Sequence, residues 1–424
     1  MGKDILITGL ASLATPLGKT PKGGHEQGSI VEMIRPSVIL SGGKISRVLS
    51  ESESKTLEIG DFEVIDGTGM TLLPGFVDPH THLVFGGTRE EEFSMRLRGE
   101  SYMEIMKKGG GIASSVAKTK GAGFEELMSI TRKRLMGMAS HGITTVEAKS
   151  GYGLDKVTEL KQLRVVKKLK DEGIVEIVST FMGAHSVPPE YKGRESVFLA
   201  MLIEEVLPSV KEEELAEFCD IFCEKGVFSV EDSAEYLKKC RDMGFRLKLH
   251  ADEMSDLGGA FLAAELGAIS ADHLLKASDE GLQAMKEAGV IPVLLPLTAF
   301  SLKEEYADGR RMIDMGLPVA LGTDFNPGSS YSYSIPLLAA LACLQMGLTP
   351  EEMLTAITLN SACAIGRGES KGTIEEGKDA DLVLIDAPSY RFLPYHFGVN
   401  QAVMTIRAGA VIYTRSDDRW KHMM

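Results

Sequence analysis

Four residues of types that bind metals stand at or just after apolar segments of the chain. His80 and His82 are two positions apart, and His250 and Asp324 each close a later apolar segment. Because side chains alternate along a strand, His80 and His82 project from one face and can chelate one ion. Three imidazoles and a carboxylate suit Zn²⁺ or Fe²⁺ and leave a coordination position for water. The sequence therefore predicts a catalytic divalent metal held by these four residues.

Two further residues have the chemistry to move protons beside such a metal. A metal of this kind makes hydroxide available near neutrality, but attack on a carbonyl or amidine carbon still needs an acid and a base. Glu253 lies three residues beyond His250, and His273 ends the next apolar segment. The alternative for Glu253 is a carboxylate at a helix N-terminus, and for His273 a structural role. Asp252 and Asp272 are interpreted as structural, since alternation turns each away from its neighbouring histidine.

The middle of the chain has the pattern of a (β/α)8 barrel. Apolar segments rich in β-forming residues alternate there with helical segments, which is typical of βα units around a parallel sheet. Seven of the eight predicted strand ends carry His, Asp or Glu, and in such a barrel these ends form one mouth. The predicted strands end near 80–82, 146–147, 183–185, 222–224, 249–250, 272–273, 295–296 and 323–324. The predicted helices include 157–171, 231–243, 255–266 and 278–288.

Both ends of the chain have a different pattern, of short strands broken by Gly and Pro. Segments of this kind occur at 4–7, 37–40 and 62–65, and again at 381–385, 402–407 and 411–413. Because the same pattern flanks the barrel on both sides, we predict one small β-sandwich domain built from both termini. Its predicted bounds are 1–73 with 375–424, around a barrel of 74–374.

Composition limits the function classes. The chain has 424 residues and a formal net charge of −14, which argues against nucleic acid as a partner. The start of the chain lacks the pattern of a signal peptide, and no apolar run is long enough to span a bilayer. The five cysteines follow no disulfide framework, and Cys219 and Cys223 lack the second ligand pair of a zinc knuckle. These features predict a cytoplasmic protein with reduced cysteines.

Longer motifs carry a family resemblance. The order of the predicted ligands resembles the amidohydrolase superfamily, and the His-x-x-Glu spacing of His250 and Glu253 is similar to its mononuclear, deaminase-like branch. Six motifs spread over the barrel are similar to the imidazolonepropionase family: 78–90, 147–154, 183–185, 250–253, 270–273 and 323–330. The resemblance implies a barrel with a small β-sandwich. It also implies hydrolysis of the lactam C–N bond of 4-imidazolone-5-propanoate to N-formimidoyl-L-glutamate, the third step of L-histidine degradation.

The resemblance also implies roles for residues around the metal. Arg89 offers a bidentate fork for the propionate tail, although an ion pair with Glu90, Glu91 or Glu92 is the alternative. His185 is expected to polarise the lactam oxygen, while Glu253 and His273 move protons and Asp324 shares that work. The implied substrate contacts are Arg89, Tyr152, His185, Glu253, Asn326, Gly328 and Ser329.

Alternatives remain for the metal count and for the function. The resemblance implies one Zn²⁺ or iron ion per subunit and a homodimer, whereas a carboxylated Lys225 could bridge two metals, as in binuclear amidohydrolases. A cytosine or guanine deaminase shares the ligands but has no need of Arg89 and the loop 326–330. A non-catalytic barrel scaffold is a third possibility, but such a protein would be expected to have lost metal ligands.

Overall fold

The structure is a computed structural model that describes residues 3–100, 104 and 108–416. The predicted small domain includes residues 1–2 and 417–424, which lie outside the described residues. Residues 1–2 also belong to the N-terminal segment that was examined for a signal peptide. The strands β1 to β18 are, in chain order, Ile5–Thr8, Ser12–Thr15, Val31–Ile34, Ser37–Ser41, Lys44–Leu49, Glu63–Asp66, Thr71–Pro74, Phe76–Asp78, Ile143–Lys149, Glu176–Ala184, Phe218–Cys223, Arg246–Ala251, Ser270–His273, Ile291–Leu294, Ala320–Leu321, Leu382–Ile385, Ala402–Arg407 and Ala410–Thr414.

The helices lie mainly between the strands β8 and β16. The α-helices are Glu51–Ser54, Glu90–Leu97, Ile112–Gly121, Phe124–Ser140, Lys156–Glu172, Glu195–Met201, Leu207–Glu212, Val230–Asp242, Gly259–Leu266, Asp279–Ala288, Pro296–Leu302, Gly309–Asp314, Ile335–Gln345, Pro350–Thr355, Ser361–Ala364 and Phe392–Tyr395. Short 3₁₀ turns occupy Gly24–Gly28 and Pro189–Tyr191, and π turns occupy Leu202–Val206 and Ala356–Asn360. Among the described residues, no helix combines the length and apolar character needed to cross a membrane.

Eight parallel strands, β8 to β15, form one sheet in sequential order, as the alternating pattern predicted. The sheet closes on itself beyond β8 and β15. There the Asp324 amide donates to the His80 carbonyl at 3.0 Å, and the His82 amide donates to the Phe325 carbonyl at 2.9 Å. This seam places three of the predicted metal ligands on the two segments that complete the barrel, at the C-terminal ends of its strands.

The boundaries differ from the predicted ones in small ways. β8 ends at Asp78, so that His80 and His82 lie just beyond the strand, where Thr81 makes an isolated bridge to Phe325. The helix predicted at 255–266 begins only at Gly259. The carboxylate of Asp252 explains this late start, because it accepts the amide hydrogens of the three residues Leu257, Gly259 and Ala260 and holds the loop open.

The chain ends form two further sheets that pack on each other, which confirms the predicted β-sandwich. One sheet has the order β5-β4-β1-β6, and the other β18-β17-β16-β7-β2-β3. The antiparallel pair β7·β16 joins the two ends of the chain directly. Apolar side chains from both sheets form the core between them: Ile7, Leu10, Leu13, Val38, Leu40, Ile45, Leu72, Leu382, Leu384, Val403 and Ile406. The residue bounds 1–73, 375–424 and 74–374 stay a prediction.

Polar contacts attach the small domain to the barrel. The buried amide of Gln27 donates to the Val319 carbonyl at 3.0 Å and accepts the Val319 amide hydrogen at 3.0 Å. On another side, Thr405 on β17 donates to the carbonyl of Ala139, in the helix Phe124–Ser140, at 2.7 Å. These bonds satisfy buried backbone groups, and such groups are costly to leave unpaired. The strands of the barrel are therefore held from outside as well as by their own ladder.

Candidate metal centre and active site

The barrel mouth gathers the predicted metal ligands. His80, His82 and Asp324 form one group whose ligand atoms lie within 4.8 Å of one another, and His80, His250 and His273 form a second. The two groups share His80, whose ring centroid lies 4.6 Å from that of His250. The structure thus brings the four predicted ligands together around His80, with the ring of His273 beside them.

Nitrogen atoms without partners mark where a cation fits. The Nε2 atoms of His80 and His250 are buried and have no hydrogen-bond partner among the described residues. The Nε2 atoms of His80 and His82 lie 3.5 and 3.8 Å from Asp324 Oδ1. Burial lowers the pKa of all three imidazoles well below the usual range, so that each is neutral with a lone pair to offer. Metal ligation requires that form, and the donor set therefore fits a divalent metal.

Two carboxylates orient two of the imidazoles predicted to bind the metal. His80 Nδ1 donates to Asp272 Oδ2 at 2.6 Å, and His250 Nδ1 donates to Asp220 Oδ1 at 3.1 Å. Because an ionised carboxylate can only accept, the proton lies on Nδ1 and the Nε2 lone pair faces the centre. The contact gives Asp272 a direct part in the site, where sequence reasoning assigned only a structural one. Asp220 was missed altogether.

Asp324 is held through one oxygen, while the other faces His80 and His82. Thr298 Oγ1 donates to its Oδ2 at 2.5 Å. Burial raises the pKa of Asp324 to about 6 against the opposing hydrogen bond from Thr298. The backbone φ is 50° at Asp324 and 77° at His273, values that side chains disfavour and that concentrate at functional sites. The neighbouring structure therefore holds both residues in position.

Glu253 and His273 form a pair at the edge of this group. His273 Nδ1 lies 3.4 Å from Glu253 Oε1, and both residues are largely buried. Burial, with Asp324 nearby, raises the pKa of Glu253 well above its usual value, and burial lowers the pKa of His273 to about 4. Glu253 lies in the loop before the helix Gly259–Leu266, six residues from its start, so it is not a helix N-terminal carboxylate. Such a pair can relay a proton.

His185 follows β10 and stacks on His82, with ring centroids 4.6 Å apart. Its Nδ1 lies 3.1 Å from the Gly151 carbonyl, so Nδ1 must be the donor. Burial lowers the pKa of His185 to about 4, although the bond to Gly151 opposes the shift. In the neutral ring Nε2 can then only accept a hydrogen bond. The predicted polarisation of an oxygen by His185 would require the doubly protonated ring.

Tyr152 lies in a loop that a buried carboxylate holds in shape. Glu159 accepts the amide hydrogens of Gly151, Gly153 and Leu154 at 3.1, 2.7 and 3.0 Å. The ring of Tyr152 contacts that of His185, with centroids 5.3 Å apart. Glu159 was not visible as a site residue in the sequence, because a glutamate in a predicted helix is usually solvated.

Arg89 pairs with Glu92, one of the three alternative partners considered for it. Nε and Nη2 of Arg89 lie 2.9 and 2.7 Å from Glu92 Oε2, and the arginine side chain is only 12% exposed. Glu92 Oε1 also accepts the Gly111 amide hydrogen at 3.1 Å. A Cβ atom at Gly328 would collide with the guanidinium, so that Arg89 lies directly on the loop 326–330. The pair is thus part of the barrel mouth.

The loop 326–330 is closed by its own hydrogen bonds. Asn326 Oδ1 accepts the amide hydrogens of Gly328 and Ser329 at 2.7 and 2.8 Å. Its Nδ2 donates to the Asp324 carbonyl and to Ser329 Oγ, both at 2.7 Å. These donors are therefore engaged within the loop, which gives it a defined shape next to Asp324.

A cavity of about 530 Å³ opens between Arg89 and this loop. Two guanidinium groups, of Arg89 and Arg96, lie among apolar and aromatic side chains there, which suits a small ligand with a carboxylate. The described lining residues include no predicted metal ligand; they are Thr88, Arg89, Glu90, Phe93, Arg96, Leu297, Phe300, Ser301, Pro327, Gly328, Ser330, Tyr331, Ser332 and Leu337. Lys225, considered as a bridging ligand, is exposed.

The chain is similar to known proteins in sequence and in fold. A model of the amidohydrolase family matches residues 98–413. An imidazolonepropionase of Clostridium tetani is 52% identical over 97% of this chain and 99% of its own. One of Porphyromonas gingivalis is 50% identical over 97% and 98%.

Solved structures support the fold. A triazine hydrolase variant superposes with a TM-score of 0.75 at 18% identity, over 98% of this chain and 96% of its own. An adenosine deaminase from Xanthomonas campestris with bound zinc superposes with a TM-score of 0.69 at 18% identity, over 98% and 95%. At these identities the likeness shows a shared architecture.

The low pKa of His185 predicts a pH-dependent stability difference. In the unfolded chain the imidazole takes up a proton near pH 6.5, but in the folded chain it does so only near pH 4. Acidification through this window therefore removes stability, by up to about 1.4 kcal/mol per pH unit. A His185→Gln variant lacks this loss and should gain up to about 3 kcal/mol relative to the parent between pH 8 and pH 4. Urea denaturation of both metal-free proteins measures it, and a pH-independent difference would contradict the buried neutral ring.

Proposed function

Because the chain belongs to the amidohydrolase family, and within it to the imidazolonepropionases, we propose how its residues share the work of that reaction. The protein is a hydrolase of cyclic amide C–N bonds that acts in histidine degradation, opening the lactam of 4-imidazolone-5-propanoate to N-formimidoyl-L-glutamate. The observation that carries the assignment of residues is the convergence of the four predicted ligands around His80. A deaminase would share this ligand group but would have no need of Arg89 and the loop 326–330 as a carboxylate site.

The proposed ligand set is His80, His82, His250 and Asp324, with one divalent ion, Zn²⁺ or Fe²⁺, per chain. Such an ion, when bound, lowers the pKa of a coordinated water and polarises a carbonyl oxygen. The neutral imidazoles support the set, as does the position of Asp324 Oδ1, 3.5 Å from His80 Nε2. The exposure of Lys225 supports a single ion, because a bridging lysine must reach the strand ends from inside the mouth.

We assign the proton transfers to Glu253 with His273. The Glu253 carboxylate takes a proton from the attacking water, and its raised pKa favours holding that proton until the ring nitrogen leaves. His273, 3.4 Å away, can receive the proton or return it, and Asp324 can share the transfer. One water is consumed: its oxygen bonds to the carbonyl carbon, and its protons end on the nitrogen and on the carboxyl product.

The remaining groups bind the substrate. Arg89 uses its Nε edge for Glu92, which leaves Nη1 facing the loop 326–330 for the propionate carboxylate. His185, with Nδ1 bound to the Gly151 carbonyl, offers Nε2 as an acceptor for a ring N–H, in place of the predicted polarising role. Tyr152 closes the site beside His185. Asn326, Gly328 and Ser329 shape the wall on the Arg89 side.

We further propose a cytoplasmic homodimer. Exposed apolar side chains on the helix Ile335–Gln345 and on the segment after β16 support an interface between two copies: Leu344, Tyr395, Phe397 and Val399. Sedimentation analysis of the purified protein tests it, and a monomer at micromolar concentration would contradict it.

Replacing Glu253 with Gln should lower kcat by about 10²–10⁴-fold, because the amide cannot accept and return a proton. Metal content should stay at one ion per chain, since Glu253 is not a proposed ligand. Steady-state hydrolysis, followed by the ultraviolet absorbance of freshly prepared 4-imidazolone-5-propanoate, measures the effect. The exposed Glu305→Gln is the control, and an unchanged kcat would remove Glu253 from the mechanism.

Replacing Arg89 with Ala should raise KM about 10–100-fold with a smaller effect on kcat, because a charge-assisted hydrogen bond to the substrate carboxylate is lost. Arg132, in a surface pair with Glu172, gives the control variant Arg132→Ala. An unchanged KM for the carboxylate-bearing substrate would count against Arg89 as the group that binds the carboxylate.

Chelation should abolish activity, and Zn²⁺ or Fe²⁺ added back singly should restore it at one ion per chain. Metal analysis of the protein purified without added metal identifies the ion. A ratio near two would contradict the single-ion proposal.

A further inference from the structure

Five charged side chains lie fully buried inside the barrel next to the ligand imidazoles. They are Glu147, Lys149, Asp220, Lys248 and Asp272, and each is at most 1% exposed. They come from the four barrel strands β9, β11, β12 and β13, with β10 between β9 and β11. Charges buried in this way must be paired, because burying an isolated ion lowers the folding stability by about several kcal/mol. The reaction described above uses none of them directly.

Lys149 stands at the centre of this cluster. Its Nζ atom lies 2.7 Å from Asp220 Oδ2, 3.0 Å from Glu147 Oε1 and 3.3 Å from Asp272 Oδ2. Burial lowers the pKa of Lys149, but the three carboxylates outweigh burial and hold the pKa above its ordinary value. The side chain is therefore an ammonium that lies among three carboxyl groups.

Two of these partners also hold ligand histidines. Asp220 binds Lys149 through Oδ2, and both of its oxygens lie 3.1 Å from His250 Nδ1. Asp272 contacts both Lys149 and His80 through Oδ2, while its Oδ1 accepts the hydroxyl of Ser270 at 2.8 Å. The ammonium of Lys149 thus contacts both Asp220 and Asp272, and these two carboxylates orient two separate imidazoles.

We propose that Lys149 is a positioning residue for the metal centre, whose single ammonium fixes the carboxylates of Asp220 and Asp272 so that His80 and His250 present Nε2 to one ion. Without it, three carboxyl groups would share a buried space with one remaining ammonium, and repulsion would turn one of them away from the others. A turned carboxyl no longer accepts the Nδ1 hydrogen in the same geometry, and the imidazole is then free to rotate. The proposal rests on the ligand set proposed above.

Lys248 provides a matched control. It is as deeply buried and lies 3.3 Å from Glu147 Oε1 and 3.2 Å from the Pro79 carbonyl. Among the ion pairs of the described residues, none joins Lys248 to Asp220 or Asp272. Its removal should cost a similar amount of folding stability while leaving both histidine-orienting carboxylates in place.

The test compares Lys149→Met and Lys248→Met with the parent enzyme. Zn²⁺ affinity is measured by competition with a chromophoric chelator, Co²⁺ loading is followed by its visible absorption spectrum, and thermal unfolding is measured with and without metal. We expect Lys149→Met to weaken Zn²⁺ binding about 10–100-fold and to change the Co²⁺ spectrum. Lys248→Met should keep affinity within about threefold and leave the spectrum unchanged, whatever it does to the metal-free Tm.

Each other outcome decides against a stated claim. Equal Zn²⁺ affinity in Lys149→Met and the parent would overturn the role of Lys149, as would equal losses in both methionine variants. A parent protein that binds no Zn²⁺ or Co²⁺ would contradict the proposed ligand set itself. If Lys149→Met does not fold, Lys149→Arg retains the charge with a different reach. Lys149→Arg should then show a weaker Zn²⁺ affinity and an altered Co²⁺ spectrum at a near-parental Tm. A parental Zn²⁺ affinity together with a parental Co²⁺ spectrum would overturn the proposal.

Discussion

The interior of the barrel holds three carboxylates and two ammonium groups away from water, and the site at its mouth depends on how they pair. An unpaired buried charge is far more costly than a paired one, so the five side chains constrain one another's positions. The constraint passes to the mouth through Asp220 and Asp272, each of which also accepts a histidine Nδ1 hydrogen. The same buried charges therefore affect both the geometry of the site and the stability of the barrel core.

The seam of the barrel adds a second constraint. The segments after β8 and β15 pair through His80, His82, Asp324 and Phe325, although almost the whole barrel sequence separates them. Asp78, just before this seam, accepts both the amide and the hydroxyl hydrogens of Thr323. Three proposed ligands thus lie on the segments that follow the first and last strands of the barrel, so that a bound ion would join the two sides of the closure as well as take part in the chemistry.

Sequence reasoning succeeded where residue type and local spacing carry the information. The eight strand ends, the helices and the convergence of His80, His82, His250 and Asp324 follow from periodicity and from the known geometry of parallel barrels. It failed where a contact depends on register between distant strands. Lys149 and Asp220 are 71 residues apart, and only the pairing β9·β10·β11 brings them together. The position of the proton on His185 could not be predicted from the sequence either, because the Gly151 carbonyl that determines it lies in the loop after β9.

The assembly of the small β-sandwich from both chain ends affects the nascent chain during synthesis. Strand β7 is synthesised early, but its neighbour β16 follows about 300 residues later. Synthesis runs at about 5–20 residues per second. For tens of seconds, therefore, β7 presents an apolar edge whose partner has not yet left the ribosome. Exposed strand edges of this kind invite association between chains. Until β16 is made, cover over this edge by other parts of the chain would reduce such association.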